Sequence, residues 1–357
     1  MITTIERGGA ENQLLVLARE QVKSGKAVSV LFLKGAPDLK YSFEGIGAEV
    51  YESLKHLNFF LQIFRFRAIL NDDYDIIHAH LPRAELLCSL RRKKDVLVVS
   101  RHNSEPFFPL APRLISMLLS RFVEFRSIKI IAISRAVETY LLQSREVSYR
   151  QKLCKVLYGS DSSFAKNLTK LEFERPNKET LIIGTVARLV HQKDYPTLLK
   201  AIAEFRKINN NFLLVCIGDG PLENMLKDLC ADLGITDVVL WIGKSSAVSS
   251  WMAEFDVFVL ASRYEGFGLV LLEAMQSDLP IIAANNAAVI EVLGEKHPGL
   301  FQSGQDSSLL KALSEFIDSE KGDVFQDSNT SRLKLFTPEL MQQNIENVYL
   351  QSIAAKI

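Results

Sequence analysis

The chain has 357 residues, 48% of them hydrophobic and 24% charged. Those proportions suit a soluble globular protein and exclude a disordered or collagen-like chain; at roughly 150 residues per domain the length points to two domains. Lys plus Arg and Asp plus Glu both number 42, so the total charge gives no sign of a nucleic-acid partner. The halves differ, however. Residues 1–170 carry 26 cations against 17 anions, a net +9, and residues 171–357 carry 16 against 25, a net −9. A basic first half suits an anionic surface.

In chain order, a short strand within Met1–Glu6 leads to Gly8-Gly9 and a helix over Glu11–Glu20. Val28–Leu33, Ile76–His80, Val96–Ser100 and Ile130–Ser134 read as short buried strands, each followed by a helical pattern or a turn. After the polar stretch Asp161–Thr180 the alternation restarts with Leu181–Val186, Phe212–Gly218, Val238–Ile242, Asp256–Leu260 and Pro280–Ala283. Short apolar runs separated by helices predict α/β architecture with parallel sheets and right-handed crossovers. Two doubly wound, Rossmann-like domains follow, over 1–165 and 166–337. A last helix over 338–357, with Leu340, Ile345, Val348 and Tyr349 apolar, is expected to pack back on the first domain. Such sheets bind ligands at the carboxyl ends of their strands, so the expected site is a cleft faced by both domains.

Cys88, Cys154, Cys216 and Cys230 show no paired spacing, which fits a reducing compartment better than a disulfide framework. No apolar run approaches the ~18 residues that span a bilayer, and MITTIERGGAEN lacks the pattern of a signal peptide. The expected location is cytoplasmic, with peripheral attachment to the inner face of the membrane as an open possibility. Two Arg-bearing apolar segments, Leu57–Leu70 and Pro112–Lys129, suit either an interfacial helix on an anionic bilayer or ordinary core helices with solvated Arg.

The densest candidate site is SRYEGFGLVLLE, Ser262–Glu273, just past the strand Asp256–Leu260. Gly266 and Gly268 permit close backbone approach, and Leu269–Gln276 reads as a helix whose free N–H groups and positive dipole end offer a phosphate seat. Glu265 and Glu273 flank that seat, which suits a ligand with hydroxyls beside a phosphate. As plain surface groups both would be solvated, but Glu273 follows an apolar run and points where a core residue would. In GTVARLVHQK, Arg188 and Lys193 follow a strand end and could hold a diphosphate without metal. Gly8-Gly9 before a helix makes a second candidate phosphate loop, or only a tight turn. His102, past Val96–Ser100, could exchange a hydrogen bond with a substrate hydroxyl. His78 and His80 lie on one strand face, as half a metal site or as imidazoles at a strand end. Gly218-Asp219-Gly220 begins like a dinucleotide fingerprint, but Pro221 and Glu223 break it. Asp73-Tyr74-Asp75 resembles a metal-holding D-x-D but precedes a strand, so it reads as an entry turn.

In this order, GGAE, DIIHAH, IAISRA, KVLYGSD, RLVHQK, IGDGP, EGFGLVLLE and IIAANNAAVIEVL resemble the retaining glycosyltransferases of family 4, which have the GT-B fold. The resemblance runs from Gly8 to about Leu293. It implies an acceptor-binding first domain and a nucleotide-sugar-binding second domain. It implies a hexose moved from a nucleoside-diphosphate donor, a UDP-sugar being expected, to a hydroxyl of a glycan, lipid-linked or small-molecule acceptor. It further implies that Arg188 and Lys193 hold the diphosphate and that backbone N–H groups of Phe267, Gly268, Leu269 and Val270 cradle phosphate. Glu273 would take the ribose hydroxyls and Glu265 the transferred sugar. His102 would stand by the reacting centre, the Gly8-Gly9 loop would close over phosphate, and Ile242, Gly243 and Lys244 would lie near the base. It implies too that no cofactor or metal is required, and no nucleic acid is expected as a partner. Two departures stand out: Ala287-Ala288 replace a Gly-Gly, and Asp194 replaces the Gly that often follows the Lys. The short lead before GGAE means a short first strand or a native start upstream of Met1. A sugar-nucleotide 2-epimerase and a non-catalytic sugar-nucleotide-binding subunit are the alternatives on the same fold.

Overall fold

The computed structural model describes residues 1–69, 74–91, 96–161, 164–166, 168–317 and 322–356. The chain divides into two compact units, Met1–Gly159 with Phe336–Ile357, and Ser160–Leu335.

The first unit holds strands β1 (Ser29–Leu31), β2 (Glu49–Tyr51), β3 (Ile77–His80), β4 (Leu97–Arg101), β5 (Lys129–Ala132) and β6 (Leu153–Lys155). β1 pairs with β2, and β3-β4-β5-β6 form a second ladder, every pair parallel. Ile2 joins the two ladders by bridging Phe32 on one side and His80 on the other. Ile2 N donates to Leu31 O at 3.0 Å and His80 N to Met1 O at 2.8 Å. The predicted first strand is therefore one bridging residue. β5 begins and ends earlier than the apolar run Ile130–Ser134, because Ser134 leaves the sheet to cap the helix Arg135–Gln143, its side chain accepting from Val137 N at 3.0 Å. The first helix spans Gly9–Lys23, not Glu11–Glu20, so Gly9 is already helical.

The C-terminal helix, Pro338–Ala354, starts with Thr337 as its cap and Pro338 in its first turn. It packs on the helix Gly9–Lys23 of the same unit, burying Met341, Ile345 and Val348. Lys26 Nζ and Glu346 Oε1 pair across that contact at 2.5 Å.

The second unit holds β7 (Leu181–Val186), β8 (Phe212–Ile217), β9 (Val239–Gly243), β10 (Val257–Leu260), β11 (Ile281–Ala284) and β12 (Leu300–Phe301). They pair in the order β12-β11-β10-β7-β8-β9, all parallel. Counting from β7, that is 6-5-4-1-2-3, the doubly wound dinucleotide-fold order, and its direction reverses between β7 and β10. The core that fixes this sheet sets Leu198, Leu199, Ile202 and Phe205 against Ile183, Leu214, Val257 and Val259.

Candidate functional site

The loops that leave β7 and β10 depart from neighbouring strands at the switch point, where open α/β sheets bind ligands. From β7 the chain runs through Ala187–Val190 to a short turn, His191–Lys193, and the helix Tyr195–Phe205. From β10 it runs through Ala261–Gly268 to the helix Leu269–Gln276. The loops are stitched together. Arg263 N donates to Gln192 O and Gln192 Nε2 to Tyr264 O, both at 2.9 Å. Lys193 Nζ stands 2.6 Å from Glu265 Oε1, with both side chains largely buried. Arg263 grips Asp194 with two nitrogens, each at 3.1 Å. Asp194 has φ 47° and ψ 44°, the left-handed region that disfavours a side chain. Its buried carboxylate gains in exchange the Arg263 fork and Thr197 Oγ1 at 2.8 Å. The departure from glycine at this position is thus an added anchor between the loops.

Arg188 is exposed and makes no ion pair with any described residue. Its loop is pressed from below by Gly218-Asp219-Gly220. A Cβ on Gly218 would lie 2.1 Å from Ala187 O, and Leu189 N donates to Asp219 O at 2.9 Å. Those glycines permit the close packing of the two loops.

Phe267 is buried, and Gly268 at φ 90° turns the chain into the helix Leu269–Gln276. Among the described residues no side chain caps that helix, so the N–H groups of Leu269 and Val270 are among its orphan donors. Glu273 lies one turn on, half-buried. Burial, reinforced by the Asp161 carboxylate, pushes its carboxyl up to about 7. Arg188, Lys193, Glu265, Phe267, Gly268, Leu269, Val270 and Glu273 therefore share one edge of one sheet. Ile242, Gly243 and Lys244 close β9, two strands from β7, where Gly243 O accepts from Gly218 N at 2.8 Å.

In the first unit, His102 follows β4 and is buried. Its Nε2 lies 3.2 Å from His80 Nδ1, and its Nδ1 bonds the Tyr158 hydroxyl. Burial first, then the Arg101 charge, pushes its pKa down to about 3, so the ring is neutral at physiological pH. His78 and His80 present rings 4.1 Å apart on one face of β3. His78 bonds the Tyr349 hydroxyl at 2.7 Å and Ser100 Oγ at 2.8 Å. The imidazoles at this strand end are thus bound to one another and to hydroxyls. Among the described residues no group of three or more His, Cys, Asp and Glu is placed to hold a metal. Asp73 of the D-x-D lies outside the described residues. Gly8 is extended and caps the first helix, with Glu11 in its first turn accepting from Thr4 Oγ1 at 2.6 Å. Gln13, on the same helix, lines one pocket with His80, Ser100, His102 and Tyr158.

Two family descriptions match consecutive stretches of the chain. Residues 7–151 match "Glycosyltransferase Family 4" and residues 168–330 match "Glycosyl transferases group 1". The chain belongs to the family 4 glycosyltransferases. EpsF of Bacillus subtilis is 27% identical over 302 residues, 80% of this chain and 78% of that protein. A Campylobacter jejuni diphospho-undecaprenol N-acetylgalactosaminyltransferase is 25% identical over 199 residues, 55% of this chain and 53% of that one. Anabaena HepE, solved with UDP and glucose, superposes with a TM-score of 0.81 at 17% identity over 98% of both chains. This glycosyltransferase thus has the GT-B fold of two Rossmann-like domains.

Several participants in the glycosyltransferase's candidate site escape motif reading. Arg263 and Asp194 form the anchor between the loops, yet in the sequence Asp194 stands out only as a departure from glycine and Arg263 carries no sign of the pairing. Tyr158 stands inside KVLYGSD, but nothing in its surroundings announces a partner 56 residues earlier.

Proposed function

We propose that this glycosyltransferase moves a hexose-type sugar from a UDP-sugar to a hydroxyl of a glycan or lipid-linked acceptor, with retention and without a metal. The observation that carries the reading is the switch-point edge of the second unit. There the Lys193–Glu265 pair, the exposed Arg188 and the uncapped start of Leu269–Gln276 converge. The UDP and glucose bound by Anabaena HepE favour a uridine donor. The undecaprenol-linked acceptor in the name of the Campylobacter relative favours a lipid-linked or glycan acceptor.

In this reading the second unit binds the donor and the first the acceptor. Arg188 and Lys193 meet the diphosphate charge, and the N–H groups of Leu269 and Val270 reach a phosphate oxygen. Glu273 accepts from the ribose hydroxyls, Glu265 from the hydroxyls of the transferred sugar, and Ile242–Lys244 border the base. His102, with both ring nitrogens held by Tyr158 and His80, contributes in this reading an uncharged ring to the acceptor-binding unit. The acceptor oxygen bonds the anomeric carbon on the face from which the diphosphate leaves. The bond from that carbon to the diphosphate oxygen breaks, and the acceptor's proton passes to the departing oxygen. Preorganised cations and helix N–H groups stabilise the charge that develops there.

With donor and a mixture of glycan and lipid-linked acceptors, UDP release is expected to depend on acceptor and to survive excess chelator nearly unchanged. Release without acceptor would indicate hydrolysis, and epimerised donor with no glycoside would indicate the epimerase. Loss of turnover in EDTA, restored by manganese or magnesium, would contradict the metal-free diphosphate seat.

A further inference from the structure

The helix Arg113–Arg126 is built inside out. Its inward face is Ser116, Ser120, Val123 and Glu124. The polar members are all satisfied. Ser116 Oγ accepts from Phe108 N at 2.9 Å, and Ser120 Oγ accepts from Arg101 at 2.9 Å. Glu124 Oε1 accepts from Ser148 N and Tyr149 N, both at 2.6 Å. Outward stand Leu114 at 64% exposure, Leu118 at 54% and Phe125 at 68%, with Ile115 and Phe122 beside them. The helix Phe59–Ile69 repeats the arrangement. Gln62 and Phe66 are turned inward, Gln62 donating to Leu33 O at 3.0 Å and Leu54 O at 2.9 Å, while Phe60 and Phe64 are 75% and 70% exposed. Helices that bury an amide, two hydroxyls and a carboxylate while leaving Phe60, Phe64, Leu114, Leu118 and Phe125 exposed are not explained by their own unit's core.

The two helices end at one turn, Ser89-Leu90, and their outward faces carry one sign of charge. Arg67 donates to Leu90 O at 2.9 Å and Arg126 Nε to Ser89 O at 2.7 Å, so both helices finish at the same turn. Arg65, Arg67, Arg113 and Arg121 are exposed among the apolar residues. The only acid on either helix is Glu124, turned inward. A protein partner or a second copy of this chain would meet this face with its own mixed charges. A face of cations and large apolar side chains without acids complements an anionic bilayer, whose headgroups take the Arg and whose acyl boundary takes the Phe and Leu.

We propose that the outward faces of Phe59–Ile69 and Arg113–Arg126 form one docking surface for an anionic lipid bilayer, the chain lying on the membrane without crossing it. Among the described residues no helix is long and apolar enough to cross. The surface uses none of the residues assigned to sugar transfer and does not rest on that assignment.

The test is co-sedimentation of the full chain with phosphatidylglycerol vesicles and with phosphatidylcholine vesicles, at low and high salt. Binding is expected to the anionic vesicles alone and to fall with salt, since the Debye length shrinks. Leu118→Ser with Phe122→Ser should lower partitioning about ten-fold or more. Arg65→Gln with Arg113→Gln should lower it about twenty-five-fold, each cation near such a surface contributing roughly a five-fold factor. All four side chains are exposed, so thermal melts should match the parent and separate lost docking from lost folding. Equal binding to both vesicles, binding to neither, or binding that survives both double variants would overturn the proposal. So would a concentration-dependent dimer abolished by Leu118→Ser with Phe122→Ser when no vesicle binding is seen.

Discussion

Lys193→Ala is expected to weaken UDP binding about ten-fold or more and to lower Tm by about 5–10 °C, whereas Arg188→Ala should weaken binding alike without touching Tm. Both cations face the proposed diphosphate, and a hydrogen bond to a charged group contributes about 1.5–3 kcal/mol, or roughly ten-fold or more in affinity. Their surroundings separate them. Arg188 is exposed and unpaired among the described residues, so its loss leaves nothing stranded. Lys193 is 16% exposed and neutralises Glu265, which is 7% exposed. Removing one partner of a buried pair leaves an uncompensated charge, a penalty of roughly 3–5 kcal/mol at full burial. In a domain of this size each kcal/mol moves Tm by about 2–4 °C. Lys193→Ala with Glu265→Gln should recover much of the Tm and none of the activity. Calorimetry with UDP and thermal melts on the four proteins check this. Unchanged UDP affinity in both single variants would remove the diphosphate assignment.

UDP affinity is expected to rise with pH through the region around 7, and the rise should vanish in Glu273→Gln once the ligand's own titration is subtracted. The ionised Glu273 carboxylate is the form that accepts from two ribose hydroxyls. Burial and Asp161 hold its pKa at about 7 in the folded chain, against 4.5 for an unperturbed carboxyl. Below 7 the group is increasingly protonated, and binding must bear the cost of deprotonation, up to ten-fold per pH unit. The terminal phosphate of UDP also titrates near about 6, and the Glu273→Gln variant supplies that baseline. The same shift acts on stability with the opposite sense. Because the folded pKa exceeds the unfolded one, the folded chain holds the proton more tightly between 4.5 and about 7. Stability therefore falls as pH rises through that window, and the full penalty is present above it. Glu273→Gln should accordingly gain Tm relative to the parent as pH rises from 5 to 8. A UDP affinity whose pH profile is the same in both proteins would disconnect Glu273 from the ribose.

The second unit is the more legible in sequence, and the reason is burial on both faces. β7 lies where the run Leu181–Val186 puts it, and the helix Leu269–Gln276 has the predicted ends, because each is a mostly apolar run preceded by a polar residue or a glycine. β2, β6 and β12 are missed. Each is two or three residues long, and β2 and β6 are partly exposed, so no run of apolar residues marks them. The helix Arg113–Arg126 shows a deeper limit. Its periodicity is plain, but a period of 3.6 does not say which stripe turns inward. The ordinary assumption of a buried Leu and Phe face is reversed by Glu124 and Ser120, whose partners Tyr149 and Arg101 lie far along the chain. The candidate site divides the same way. Residues carried by contiguous motifs, such as Glu265 and Lys193, are readable singly, but their 2.6 Å pairing and the Arg263–Asp194 anchor arise from neighbouring strands 69 to 72 residues apart.

Hydrogen exchange measured by mass spectrometry, with and without saturating UDP, tests the central claim most directly. The account predicts slowed exchange in peptides covering Ala187–Asp194 and Ser262–Gln276, the two loops at the switch point and the helix start between Glu265 and Glu273. Protection confined to other strand ends of the second unit, or no protection at a UDP concentration that saturates calorimetry, would contradict it.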